Sequence, residues 1–598
     1  MLKSLMMKKN VKGQINTKKI KKKNRKNPLV ILLSLICIVA AVFLCVQLFS
    51  MKMLPLMLEI PAIVIILVLS LLLFLFYNFL SRRPISRFIS AFLILGLTIA
   101  YGIGNYYIYK TTEMFSSVTN LTENLTNTIS VVTLTESGYT TLESLNGMTI
   151  GTITSQDEEG TQKAEDDISN KISYDTLDYT TFEDLYYALY TDEVQAIILN
   201  ESFRGIVFEM DENANNQTMI VNQTKYYTKR SSSENTARDA VNVVSKPFTI
   251  LISGNDSFGG LTSNSRSDSN MLLTINPNTH TVLMTSVPRD YYEVISCGSK
   301  DSGLACPEGE RDKLTHSGIY GIDTTEKTIE NFLDITINYN VRVNFSSLTN
   351  LVDALGGIDV YVEEGLAVDR FNADWSLQGV SEGWNHLDGK RALAFARERY
   401  AYTDGDAQRV KNQQIVIEAM INKIASPSMI GNFGNFMDAL SGAFETNMTS
   451  DEILSLVRYE FTFFPEWKFE SYALVGSTSN AYCPTLGDYA DVMLANLDSI
   501  QVAHDKIQAV LNGESSTTVS DTIDENNIEV IDDSQNQVTQ DPGYYYDPYA
   551  GYDYSQDYTT DYYVEDPSQY YTDDVYNDSY TDDGIYSEDV YYEDQYTY

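Results

Sequence analysis

Three long apolar segments, at 29–50, 58–80 and 88–108, dominate the hydropathy pattern of the first hundred residues. Each is about 20 residues, enough to cross roughly 30 Å of hydrocarbon as a helix. A cleaved secretory leader would explain one of them but not three in succession. From residue 110 the pattern turns polar, and residues 110–128, rich in Thr and Asn, read as a stalk. An apolar alternation at 130–135 then opens a small α/β pattern. It continues as a helical turn and strand over 141–153, an amphipathic helix over 182–189 and a short buried strand over 194–199. The polar segment 211–235 reads as a link to a larger α/β unit at 242–513. There strands are expected at 248–253, 271–275, 282–286, 340–343 and 358–362, and helices at 324–333, 346–355, 389–397 and 407–425. Strands interleaved with helices imply a sheet covered on both faces. Gly356-Gly357 supplies a helix stop immediately before a strand.

Charge divides the chain in the same places. The net charge of −39 argues against a nucleic-acid partner, whose footprint is usually basic. Basic residues crowd the first 27 positions, which carry no acid, and no Lys, Arg or His follows Lys506. Arg82, Arg83 and Arg87 mark the loop between the second and third spans, whereas the loop before it offers only Lys52. The positive-inside bias therefore puts the N-terminus in the cytoplasm and everything after Lys110 outside a multi-pass membrane anchor. At 598 residues there is room for more than one core. The expected division is a basic leader (1–28), three transmembrane helices (29–109), stalk and accessory domain (110–241), main domain (242–513) and tail (514–598). The tail is acidic and tyrosine-rich with little aliphatic content, so it reads as disordered. The accessory pattern is similar to part of a substrate-binding-protein lobe, and both a spacer or docking role and a ligand-sensing role stay open.

Cysteines fit an exterior location. Cys37 and Cys45 fall inside the first span, and Cys297 and Cys306 are candidate disulfide partners in a Gly- and charge-rich loop. Cys483 has no evident partner. No Cys/His quartet stands at zinc spacing, and the four histidines are scattered.

The chemistry concentrates between Phe248 and Gln414. Asp256 and Asp268 stand near strand ends, with Arg266 and Arg289 close to them in the chain. Downstream come Arg397, Arg399, Asp406, Arg409 and Gln413. Two aspartates suffice for a Mg²⁺ shared with phosphate oxygens, and guanidinium is the natural fork for those oxygens. Arg409 and Gln413 are four apart on an expected helix and share a face, with Asp406 placed to cap it or orient Arg409. Arg397 and Arg399, read by spacing alone, are equally a solvated helix edge. No Ser/His/Asp triad or Gly-rich phosphate loop offers another mechanism.

These motifs carry a resemblance. Gly254-Asn255-Asp256, Arg266-Ser267-Asp268, Ser286-Val287-Pro288-Arg289-Asp290 and Lys313-Leu314-Thr315-His316 come first, then Leu355-Gly356-Gly357-Ile358-Asp359-Val360. Leu387-Asp388-Gly389, Ala396-Arg397-Glu398-Arg399 and Asp404-Gly405-Asp406 with Arg409, Gln413 and Gln414 complete the order. Residues 247–425 resemble the catalytic domain of the LytR–CpsA–Psr family of bacterial cell-wall proteins, and three spans plus an accessory domain resemble its capsule-type branch. The resemblance implies a three-layer α/β domain with a polyprenyl tunnel between sheet and helices, in a Gram-positive-type envelope. It implies a phosphotransferase moving a capsule, teichoic-acid or related glycopolymer from an undecaprenyl-pyrophosphate carrier to a peptidoglycan hydroxyl. Capsule or wall assembly proteins would be further partners. Asp256 and Asp268 would hold Mg²⁺, with Mn²⁺ an alternative. Arg266, Arg289, Arg397, Arg399, Arg409 and Gln413 would bind the pyrophosphate, Arg266, Arg289 and Asp406 serving the chemical step. Phe258 departs from the family, which often has an arginine there. The competing expectations are a lipid-pyrophosphate-binding regulator or attenuator of envelope synthesis and a lipid pyrophosphatase.

Overall fold

A computed structural model describes residues 27–51, 56–119, 124–210, 214–230, 236–255, 263–298, 304–403, 405–424, 426, 435–436, 438–440, 443–463 and 465–530. The basic leader to residue 26, Asp256, Phe258, Gly259, Gly260, Asp404 and the tail from residue 531 lie outside them, as does the side chain of Asp406.

Among the described residues, three helices are long and apolar enough to span a bilayer: Pro28–Met51, Leu56–Leu80 and Pro84–Met114. Their polar groups face one another. Ser70 Oγ lies 2.9 Å from Tyr101 Oη, and the Asn105 amide donates to the Ala40 carbonyl over 3.2 Å. The third helix does not stop at residue 109 but runs on to Thr119, so the expected stalk is largely helical. Met114 explains the extension, because it is buried against an apolar cluster that includes Leu351, Val352 and Phe395.

Beyond the helices stands a five-stranded sheet. Its strands are β1 (Asn124–Leu134), β2 (Thr149–Thr152), β3 (Asp175–Asp178), β4 (Ala196–Asn200) and β5 (Thr218–Lys229), in the order β3-β2-β4-β1-β5. β5 pairs with β1 along its whole length, although residues 211–235 were expected to be a linker. Only Tyr226 and Thr228 of this edge strand are buried, so it lacks the apolar alternation that would announce it. β1 begins six residues ahead of its expected apolar stretch, with Leu125, Asn127 and Ile129 buried.

The larger sheet contains six strands: β6 (Phe248–Asn255), β7 (Ser269–Asn276), β8 (Thr281–Val287), β11 (Tyr339–Asn344), β16 (Phe444–Thr446) and β17 (Lys468–Ala473). Their order is β16-β11-β6-β7-β8-β17, with β7 antiparallel to both neighbours and the β11–β6 and β8–β17 pairs parallel. Alternate residues serve opposite faces. Leu251, Leu272 and Leu283 pack under helices Ile322–Leu333 and Leu497–Leu511. Phe248, Ile250, Leu273 and Met284 pack under helices Asp406–Ile424 and Ser450–Phe463. The result is a three-layer α/β arrangement. The expected strand at 358–362 forms a two-stranded ribbon, β12 (Ile358–Val362) with β15 (Gly383–Leu387), outside this sheet. Three further ribbons pair β9 (Tyr292–Val294) with β10 (Arg311–Lys313), β13 (Val368–Phe371) with β14 (Asp374–Val380), and β18 (Gly476–Cys483) with β19 (Asp488–Ala495).

The smaller unit shares an apolar cluster with the ribbons and the 318–320 turn of the larger. Phe182, Leu185, Phe203 and Ile206 of the smaller unit pack with Tyr292, Ile319, Tyr320 and Val492 of the larger. A disulfide joins Cys297 to Cys306, whose Cα atoms are 6.3 Å apart, while Cys483 is free and buried. His316 is also buried, its Nδ1 2.6 Å from Asp312, and the Thr485 backbone N–H donates to that same carboxylate.

The segment 514–530, assigned by composition to the disordered tail, is ordered. Buried Lys506 donates to the Ser516 carbonyl over 3.0 Å, and Asn496 forms a bridge with Ile528. These are backbone contacts, which leave no mark in hydropathy.

Candidate active site

β6 and β7 set the first acidic group. The Asp268 backbone N–H donates to the Gly254 carbonyl over 2.9 Å, so Asp268 enters beside the last residues of β6. Arg289 follows Val287 and Pro288 at the end of β8. Its guanidinium donates to Asp268 Oδ1 over 3.0 Å, and the Thr315 hydroxyl donates to the same oxygen over 3.2 Å. Thr315 is itself pinned, its N–H on the Arg289 carbonyl and its carbonyl accepting from the Ser267 N–H. Arg266 Nη2 lies 3.8 Å from Asp268 Oδ1.

Burial alone would raise the Asp268 pKa, but the Arg266 and Arg289 charges and the Thr315 and Arg289 hydrogen bonds hold it below the usual carboxylate range. A buried carboxylate is thus kept ionised by two guanidinia.

Helix Asp406–Ile424 brings Arg409 and Gln413 to the same place. Gln414 anchors it to the sheet, donating to Ser286 Oγ and to the Tyr472 carbonyl. One residue earlier, the Gln413 side-chain oxygen accepts from the Ser269 hydroxyl over 3.1 Å, which leaves its NH₂ end as a donor. Arg397 ends helix Gly389–Arg397, and the turn after it is fixed by Glu398, which is fully buried. The Glu398 carboxylate accepts from the backbone N–H groups of Asn372, Ala373, Arg399 and Ala401. Arg399 and Tyr400 are held on the outside of that turn.

Asp268, Arg289, Ala373, Arg397, Arg399, Tyr400, Arg409 and Gln413 line one cavity of about 210 Å³. Four guanidinia facing one carboxylate make a strongly cationic pocket with forked donors, suited to the oxygens of a polyanion. A second cavity, of about 200 Å³, lies between Met284 and Ser471 of the sheet and Gln408, Gln414 and Ile415 of the helix, with Leu366 and Phe395 on its wall.

The cavity thus gathers Asp268, Arg289, Arg397, Arg399, Arg409 and Gln413, and Arg266, 3.8 Å from Asp268, is not among its lining residues. Asp256, which follows Asn255 in the chain, is outside the described residues, and Asp406 is placed only as the first residue of its helix. Sequence reasoning missed Ser269, Thr315, Glu398 and Tyr400. Three of these act through hydroxyl or backbone contacts that carry no charge pattern, and Tyr400, exposed at 79%, looks like a surface residue. The neighbouring Arg-Glu-Arg motif was the available signal for Glu398.

Residues 214–482 match the model of the LytR_cpsA_psr family. The chain is 37% identical over 209 residues to the polyisoprenyl-teichoic acid–peptidoglycan teichoic acid transferase TagU of Bacillus licheniformis, covering 35% of this chain and 62% of that protein. It therefore spans less than two thirds of that relative. Against the TagU of Bacillus mycoides it is 32% identical over 232 residues, covering 38% of this chain and 69% of the other. Protein gbs0355 from Streptococcus agalactiae, a solved structure, is similar at a TM-score of 0.39 and 26% identity, covering 50% of this chain and 96% of the other. With the family model falling across both cavity-forming elements and a relative matched over more than two thirds of its length, the chain belongs to the LytR_cpsA_psr family.

Proposed function

We propose that this protein is a membrane-anchored phosphotransferase that moves a glycopolymer from an undecaprenyl-pyrophosphate carrier to peptidoglycan outside the cell. The observation that carries the proposal is the cavity, in which Arg289, Arg397, Arg399 and Arg409 converge with Gln413 beside the ionised Asp268. Family membership and relatives named as teichoic acid transferases support the substrate class.

Phosphoryl transfer needs positioning and stabilisation of oxygen charge more than a covalent nucleophile on the protein. An acceptor hydroxyl attacks the glycopolymer-bearing phosphorus, a new P–O bond forms, and the P–O bond to the prenyl phosphate breaks. The acceptor proton is released, and the arginines neutralise the departing phosphate. Asp406, at the start of the helix carrying Arg409, serves either as orienter of that arginine or as the proton's acceptor. The second cavity, between sheet and helix, is the proposed entry for the prenyl chain, one helix face away from Gln413.

A Mg²⁺ ion shared by Asp268 and Asp256 is part of this proposal. Asp268 is buried, ionised and already directed toward the cationic cavity, and Asp256 follows β6 in the chain. These two aspartates would hold the ion, which would supply additional neutralisation of pyrophosphate charge.

Binding of undecaprenyl pyrophosphate to the detergent-solubilised full chain, measured with and without Mg²⁺, tests this reading. Saturable binding strengthened by the metal supports it. Binding of equal strength to undecaprenol, which lacks the pyrophosphate, would contradict it.

A further inference from the structure

We infer that the smaller sheet's helix Arg204–Met210 forms part of the catalytic site, with Gly205 acting as the seat of Arg266. This rests on the pyrophosphate reading proposed above. A Cβ built on Gly205 would stand 2.6 Å from Arg266 Nε and 2.9 Å from its Cζ. The guanidinium therefore lies directly against the glycine backbone. Gly205 does not have a positive φ, unlike the glycines that turn the chain elsewhere, so its backbone conformation does not call for glycine. The missing side chain instead makes room for Arg266.

Arg266 is largely enclosed. Its side chain is 11% exposed, and its Nη2 lies 3.8 Å from Asp268 Oδ1. The seat itself is fixed. Phe203, Ile206 and Val207 are buried in the core shared with Tyr292, Ile319 and Tyr320. Arg204 is chelated by Glu201, and Glu201 also accepts from Ser130 of β1. The strand-to-strand segment bearing Arg266 makes a second contact with the same unit, the Ser263 hydroxyl donating to the Thr126 carbonyl over 3.1 Å. The accessory unit thus sets where one of the two guanidinia beside Asp268 can lie. A shift of its helix is transmitted to the cavity through Arg266.

Gly205 is a positioning residue, and its test must separate action through Arg266 from general packing. The full chain in detergent is compared with Gly205→Ala, Gly205→Val, Arg266→Ala and the Gly205→Ala/Arg266→Ala double variant. The readouts are farnesyl pyrophosphate binding by calorimetry and thermal unfolding. The added methyl meets the flexible end of an arginine, so Gly205→Ala is expected to unfold at nearly the wild-type temperature. It is expected to bind the probe between about tenfold and 100-fold more weakly, the scale of a misplaced site group. Gly205→Val should lose more, and if it does not fold, the alanine variant carries the test alone. In the Arg266→Ala background Gly205→Ala should have no further effect. Wild-type affinity in Gly205→Ala, or the same loss in both backgrounds, overturns the Gly205 assignment while leaving the pyrophosphate reading intact. Failure of the wild-type chain to bind the probe overturns that reading, and the Gly205 assignment with it.

Discussion

Asp268 and Arg289 meet through a 3.0 Å hydrogen bond from guanidinium to Oδ1, with the Thr315 hydroxyl on the same oxygen. The carboxylate is buried, so its charge survives only because the arginines are beside it. Asp268→Asn preserves shape and removes charge. Transfer is expected to fall by at least about 100-fold, the scale of losing one preorganised charged group. Kinetics on the purified full chain, with circular dichroism to check folding, would show it. Arg289→Ala should behave alike, since a strand-end arginine contributes nothing to the apolar core.

Ser269 holds the Gln413 amide in one orientation. Removing the hydroxyl in Ser269→Ala loses a single neutral hydrogen bond worth about 1 kcal/mol. Pyrophosphate affinity should therefore drop about fivefold, with little change in melting temperature. A loss as large as that of Asp268→Asn would show Ser269 acting directly on the substrate.

Glu293 is pushed up to about 8, first by burial and then by the Glu529 charge, with Arg311 opposing. Its folded pKa thus exceeds the ordinary value of 4.5, and the folded state binds the extra proton. Stability from this group is full below about pH 4.5 and is lost as pH rises toward 8. Glu293→Gln removes that dependence, so its gain in melting temperature over wild type should be larger at pH 8 than at pH 5. Parallel melting curves across this range would contradict the assignment.

The Cys297–Cys306 bond closes a short loop, and neither cysteine lines the cavity. Closing a loop of that length stabilises by about 2–3 kcal/mol in the chain-entropy view. Cys306→Ser should melt several degrees lower yet keep transfer activity at ambient temperature.

Truncation should distinguish two parts of the acidic end. A chain ending at residue 530 should transfer and melt as the full chain does. One ending at 513 loses the Ser515 and Ser516 contacts to Glu470 and the Arg311–Glu529 pair, and should melt lower.

Much of this site was legible because charge and period are written locally. The four-residue spacing of Arg409 and Gln413 gave a shared helix face, and Arg289 was visible as the end of an apolar strand. The buried strands β6, β7 and β8 were equally plain as apolar runs. What escaped was tertiary or uncharged. β5 is a polar edge strand whose order comes from pairing with β1. Glu398 carries no sign of burial in its charged motif, yet it is sealed by four backbone N–H groups. Gly205 gave no sign at all, because the residue that needs its missing side chain is far along the chain.

The most direct measurement incubates the full chain in detergent with an undecaprenyl-pyrophosphate-linked saccharide, peptidoglycan fragments and Mg²⁺, and looks for the product by mass spectrometry. The account predicts a phosphodiester-linked saccharide–peptidoglycan product that disappears with EDTA and in Asp268→Asn. Release of undecaprenyl phosphate with no such product, or tight binding with no turnover, would contradict it.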